Sequence, residues 1–382
     1  MTTPVSVRSV AEVHGTCDKR FDAVRIALAE SLDDADVGAS AAVFVDGEPV
    51  ADLWGGYKDA KRTEPWEQDT ITNVWSTTKT MVALSALILA DRGDLDLDAP
   101  VASYWPEFAA AGKERVLVRH LLSHTAGLPE FDPPVAVADL YDWQGATTRL
   151  ARQAPRWEPG ALAGYHSVTQ GFLVGEVVRR VTGQSLPAFF AEHIAKPLGA
   201  DFHLTMPAGA GLDERFAPAL APPDAPDGDL VASSPGDQGP PGDRGAATGG
   251  TAIRVSDGNS VAWRRAEILS GSGYGNARSV AAVQSVLACG GEANGIRLLS
   301  PEGCERAREE QYRGVDQILG RSVRYGLGYG IFDPACGWGG WGGSLVMVDL
   351  DARMTVAYVM NQMLQPDYRG LGIVLAAYDA LG

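Results

Sequence analysis

The chain has 382 residues, enough to bury a large core in one mixed domain with a substantial insertion. Its 48 acidic residues against 32 basic ones leave a net charge of -16, and the basic residues are scattered, which excludes nucleic acid and an anionic membrane surface as partners. Cys17, Cys289, Cys304 and Cys336 form no C-x-x-C pair, so isolated thiols are expected instead of a metal site or a disulfide frame.

In chain order, the opening MTTPVSVRSVAEVHG has no charged segment followed by an apolar one, and is read as the start of a mature, cytoplasmic protein. Asp18 to Glu30 is patterned as an amphipathic helix. Ala41 to Val45 and Val50 to Trp54 read as a hairpin around Asp46-Gly47. Next comes Ser76-Thr77-Thr78-Lys79, followed by MVALSALILA (Met81 to Ala90), which is apolar almost all round. That run is too short to span a bilayer and predicts a buried central helix. Residues three apart on a helix share a face, so a weakly nucleophilic hydroxyl would have an amine beside it as base. Of the six lysines, only Lys79 has a serine three residues earlier. Asp94, Asp96 and Asp98 imitate a calcium loop, but Ala99 and Trp105 stand where such a loop needs glycine and glutamate.

Gly164-Tyr165-His166-Ser167 follows the Pro159-Gly160 turn and opens a helical run, Phe172 to Val181. A phenol held there beside a cation is a usable proton carrier. Pro218 to Gly250 is rich in Pro, Gly and Asp and reads as an irregular excursion, with Gly236, Gly239, Gly242 and Gly245 in a collagen-like period far too short for a triple helix. A helix is expected near Ser279 to Leu287, strands near Leu327 to Phe332, Leu345 to Asp349 and Thr355 to Met360, and a closing helix at Leu371 to Tyr378. Before the second of those strands lies Gly337-Trp338-Gly339-Gly340-Trp341-Gly342-Gly343-Ser344, whose glycines let a ligand approach the main chain. Strands at both ends of the chain predict one α/β domain (1–70 and 251–382) around an antiparallel sheet. Residues 71–250 would form a mostly helical inserted domain, with the site between the two. No H-E-x-x-H and no G-x-S-x-G occurs, so zinc peptidase and α/β-hydrolase chemistry have no support.

The three segments, in this order, resemble the serine hydrolases of the β-lactamase and penicillin-binding fold, and most closely the family VIII carboxylesterases related to class C β-lactamases. RHLLSHTAGL (Arg119 to Leu128), GDLDLDAPV (Gly93 to Val101) and YGLGY (Tyr325 to Tyr329) are similar to further stretches of that family, so the likeness runs from about residue 20 to the C-terminus. It implies a central antiparallel sheet flanked by helices, Ser76, Lys79 and Tyr165 as catalytic residues, and an oxyanion hole from the backbone N–H groups of Ser76 and Trp341. Trp338, Gly339, Gly340 and His166 are assigned to the substrate pocket, and no metal or organic cofactor is implied.

Two departures from the lactamase pattern bear on substrate. Trp338 stands where lactamases and cell-wall peptidases carry a lysine that holds the substrate carboxylate, and no lysine follows Lys196. An indole cannot pair with a carboxylate as an ammonium does, which favours uncharged esters. Ser167 replaces an asparagine that would contact an amide-bearing substrate, which points the same way. The expected reaction is acyl transfer through an ester on Ser76, with Lys79 or Tyr165 as base and a small-molecule ester as substrate. The rival readings are a β-lactamase or D-alanyl-D-alanine peptidase, and a non-catalytic protein that has kept the fold.

Overall fold

The computed structural model describes residues 11–225, 231–232, 251–365 and 367–381. Most of the expected excursion at 218–250, including its glycine period, lies outside the described residues.

A nine-stranded antiparallel sheet is built from both ends of the chain. Its strands are β1 (Val13–Cys17), β2 (Gly38–Val45), β3 (Glu48–Gly56), β4 (Tyr312–Val315), β5 (Ser322–Tyr325), β6 (Gly330–Phe332), β7 (Ala335–Gly339), β8 (Leu345–Asp349) and β9 (Met354–Met360). They lie in the order β1-β3-β2-β9-β8-β7-β6-β5-β4, so the first and last segments of the chain meet where β2 pairs with β9. The hairpin between β2 and β3 turns at Asp46-Gly47, both at positive φ (53° and 84°), the geometry that matches the twist of paired strands.

Both strands at the junction are buried nearly throughout, because helices cover both faces. Ser40 Oγ accepts from Ala277 N (3.0 Å) at the start of helix α4 (Ala277–Ala288). The neighbouring cross-strand position, Tyr358, turns the other way and donates to Asp36 at the end of α1 (Asp22–Asp34), beneath α5 (Arg369–Asp379). Side chains alternate across a strand, so α4 lies on one face and α1 with α5 on the other. The apolar run after Ser76 forms α2 (Thr78–Asp91), in which every residue from Thr78 to Leu89 is buried. α3 (Thr169–Thr182) follows Tyr165 and packs on α2.

The first helix begins at Asp22, four residues later than the pattern suggests, because Asp18 caps a short 3₁₀ turn, Lys19–Phe21, ahead of it. The strand expected from Leu327 starts at Gly330, since Gly328 at φ 86° forms a bend there. No helix among the described residues is long and apolar enough to cross a membrane.

Candidate active site

Ser76 sits in a 3₁₀ turn, Trp75–Thr77, at the mouth of α2. Trp75 adopts φ 48°, an uncommon angle for a bulky residue, held by a bond from its N–H to Asn73 Oδ1 (2.9 Å) and by Thr78 Oγ1 donating to its carbonyl. The turn's own hydrogen bonds run from Thr77 N to Val74 O and from Thr78 N to Ser76 O and Trp75 O, leaving the Ser76 N–H as one of the open donors of a helix start.

Lys79 lies one turn on and is 2% exposed. Its ammonium donates to three oxygens: Ser76 Oγ (3.1 Å), Ser167 O (2.8 Å) and Ser270 O (2.9 Å). Burial lowers its pKa, and the adjacent Tyr165 opposes that shift in part. The Tyr165 hydroxyl donates to the same Ser76 Oγ at 2.7 Å, and the Lys79 nitrogen lies 4.9 Å from the phenol ring centre. Three residues expected from the sequence to act together are therefore joined through one oxygen.

The glycine-rich segment closes the site from the sheet. Pairing of β6 with β7 ends at Gly337, so Trp338 and Gly339 leave a free strand edge on that side. The hairpin from Gly340 to Ser344 then presses against the Ser76 turn: Ser344 Oγ donates to Val74 O (2.7 Å) and lies 3.0 Å from Thr77 Oγ1. A Cβ at Gly340 would fall 2.4 Å from Val74 O, so only glycine permits this approach. Within the hairpin Gly340 N bonds Ser344 O and Gly343 N bonds Gly340 O, and among the described residues the backbone N–H of Trp341 has no acceptor. From behind, Arg369, ion-paired with Asp36 and Asp367, donates to Gly342 O (3.1 Å) and Gln362 O (2.7 Å).

Trp338 is half-buried and packs in an aromatic group, with ring centres 5.2 Å from His124, 5.7 Å from Tyr165 and 5.7 Å from Tyr325. β7 itself, Ala335–Gly339, carries no basic residue. The Trp341 ring stands edge-on to Trp75 at 4.8 Å.

His166 corrects an expectation. It is fully buried, its Nδ1 bonds Gly164 O (2.6 Å) and its Nε2 accepts from Leu128 N (3.1 Å), so the ring braces two loops and offers no polar atom to a pocket. Burial pushes its pKa down to about 4, which keeps it neutral. His124 is likewise structural in its bonding: Nδ1 accepts from His166 N (3.1 Å), and burial, with His166 and Lys79 nearby, holds it well below the usual histidine range.

Sequence reasoning missed Ser270, whose carbonyl holds Lys79 and whose hydroxyl ties Val168 O to Gly171 N (2.8 and 2.7 Å). The only signal was the Ser270-Gly271-Ser272-Gly273 stretch, a composition suited to close backbone approach. It also missed the Thr77–Ser344 contact, and it assigned Ser167 by its side chain although the residue reaches Lys79 through its carbonyl.

A β-lactamase family profile matches residues 27–379. The esterase/β-lactamase LipL of Mycobacterium tuberculosis is 35% identical over 367 residues, 93% of this chain and 84% of that protein. Among solved structures, a family VIII carboxylesterase superposes with a TM-score of 0.87 at 39% identity, covering 97% of this chain and 100% of its own. A penicillin-binding protein homologue from Caulobacter crescentus superposes at 0.86 with 34% identity, over 97% and 100% of the two chains. With the profile running over nearly the whole length and relatives of this identity matching end to end, the chain belongs to the β-lactamase family.

Proposed function

We propose that the protein is a serine carboxylesterase that hydrolyses small, neutral, short-acyl esters through an acyl-enzyme on Ser76. The observation that carries this reading is the convergence of Tyr165 Oη and Lys79 Nζ on Ser76 Oγ, at 2.7 and 3.1 Å.

The two carbonyls on Lys79 give that convergence a direction. A neutral amine has two N–H donors and one lone pair. Ser167 O and Ser270 O take the two donors, so the lone pair of deprotonated Lys79 faces the serine, and burial favours that neutral form. The Ser76 proton leaves to the Lys79–Tyr165 pair as Oγ bonds to the ester carbonyl carbon. The carbonyl oxygen gains the electron pair and is held by the N–H groups of Ser76 and Trp341. Collapse breaks the ester C–O bond, the leaving alcohol takes the proton, and water repeats the sequence to release the acid. We place this site between the sheet-bearing segments (1–70 and 251–382) and the helical segment (71–250).

The substrate class rests on Trp338. The indole supplies an apolar wall with no cation for a carboxylate, which suits an uncharged ester. Two relatives of high coverage are named for esterase activity. The four cysteines are unpaired, in keeping with a cytoplasmic location.

The test compares kcat/KM for nitrophenyl acetate or butyrate with that for a chromogenic cephalosporin, together with phosphonate labelling. The esters should be preferred, Ser76 should carry the label, and Ser76→Ala should lose at least about a thousandfold in kcat. Preference for the cephalosporin would overturn the substrate class, and turnover by Ser76→Ala near the wild-type rate would overturn the mechanism.

A further inference from the structure

We propose that Asp316 is a positioning residue for the reaction, holding Tyr165 in place against Ser76. This rests on the reading of Tyr165 as part of the proton-transfer machinery.

Asp316 lies in the turn between β4 and β5, the hairpin at the far edge of the sheet, 151 residues from Tyr165. It is fully buried, and four donors converge on its carboxylate. Oδ1 accepts from the N–H groups of Tyr165 (3.1 Å), Ile318 (2.8 Å) and Leu319 (2.8 Å), and Oδ2 accepts from Tyr325 Oη (2.8 Å). Among the described residues no lysine or arginine forms an ion pair with it. A buried carboxylate without a cation is costly and persists only where donors surround it. Here one of those donors belongs to the catalytic segment and another to the wall of the site.

The same turn holds residues 163–165 by two further contacts. Gln317 N donates to Ala163 O (2.8 Å), and Ile318 lies over Gly164, where a Cβ would come within 3.1 Å of its Cγ1. On its other side, the Tyr325 ring that Asp316 anchors packs 5.1 Å from His124 and 5.7 Å from Trp338. One carboxylate thus sets the backbone from which the phenol projects and braces the ring behind Trp338. A phenol is a long lever, so a small rotation at the Tyr165 backbone becomes a larger displacement at Oη, where the 2.7 Å contact to Ser76 must hold.

The test measures kcat, KM and Tm on nitrophenyl butyrate for Asp316→Asn, Asp316→Ala, Tyr165→Phe and the Asp316→Asn/Tyr165→Phe double variant. Asparagine keeps the shape and the Oδ1 acceptor but accepts more weakly and cannot take the Tyr325 proton at Nδ2. Asp316→Asn should lower kcat about tenfold and Asp316→Ala about a hundredfold, with KM within about twofold of the wild type. On the Tyr165→Phe background, Asp316→Asn should cost less than about a further twofold, because the group it positions is gone. A merely structural role would lower Tm and multiply the two losses, and that result overturns the proposal. So does wild-type kcat in Asp316→Asn while Tyr165→Phe is impaired. Wild-type turnover by Tyr165→Phe would instead remove the reading of Tyr165, and the inference with it. Asp316→Asn keeps the test readable should Asp316→Ala fail to fold.

Discussion

Two lysines of this chain are buried in nearly the same way, and only one of them lies against a hydroxyl. Lys79 is 2% exposed, donates to three oxygens and lies 4.9 Å from the Tyr165 ring centre. Lys113 is 0% exposed, donates to Ala110 O, Ala151 O and Gln153 O, and lies 5.1 Å from the Phe108 ring centre. Burial lowers both, Lys113 to about 8. Neither burial, a lowered pKa nor an aromatic neighbour separates them. The third acceptor does: for Lys113 all three oxygens are carbonyls, which have no proton to give, whereas for Lys79 one is the hydroxyl of Ser76. Lys113 ties the 3₁₀ segment Pro106–Gly112 to the C-terminal end of the helix Trp143–Arg152, and Lys79 is tied by two carbonyls so that its remaining valence meets the serine hydroxyl. A perturbed pKa marks a functional site only when the partner can do chemistry.

Substitution should break that symmetry most sharply. Lys79→Ala should lower kcat by about two orders of magnitude or more, as should Tyr165→Phe, and the double variant should lose far less than the product of the two. Multiplicative losses would mean that the groups act separately. Lys113→Met should leave the kcat of folded enzyme unchanged and cost roughly 2–4 kcal/mol of stability, since three carbonyls lose their donor. Denaturant unfolding alongside active-site titration reads both quantities, and a large kcat loss in Lys113→Met would erase the distinction.

Trp338→Lys comes next in size. It places an ammonium at the edge of β7 where the aromatic group now sits, and should lower kcat/KM for neutral esters by about tenfold while improving binding of carboxylate-bearing compounds. Ester turnover that is unaffected would show that the indole does not contribute to substrate choice.

The smallest effects are those of pH. Because the shift on Lys79 is downward, its proton leaves at a pH below the ordinary lysine value of 10.5, and kcat/KM should rise with pH along a limb lying below that value. A limb at 10.5 would contradict the burial argument. For Lys113 the readout is stability. Between pH of about 8 and 10.5 the unfolded chain holds the proton more firmly than the folded one, so the free energy of unfolding should rise with pH across that window. Lys113→Met should remove the rise.

Local pattern carried much of this. The Ser76–Lys79 spacing, the apolar run of α2, the Asp46-Gly47 hairpin, β8 and the extent of α4 and α5 all follow from short-range periodicity and turn chemistry, since these depend on neighbours along the chain. The joining of first and last strands in one sheet was legible too, from where the strand-like segments fall in the sequence. Tertiary structure alone decided the rest. That Lys79 rests on the carbonyls of Ser167 and Ser270, 88 and 191 residues away, has no sequence signature, because every residue owns a carbonyl oxygen. That His166 faces the scaffold while its neighbour Tyr165 faces Ser76 depends on which loops close around them. The carboxylate of Asp316, in a turn at the far edge of the sheet, meets Tyr165 only because the whole sheet places that edge beside the helix mouth. The sequence by itself determined which reactive groups the chain owns, through residue type and spacing, while their orientation came from long-range packing that no local pattern encodes.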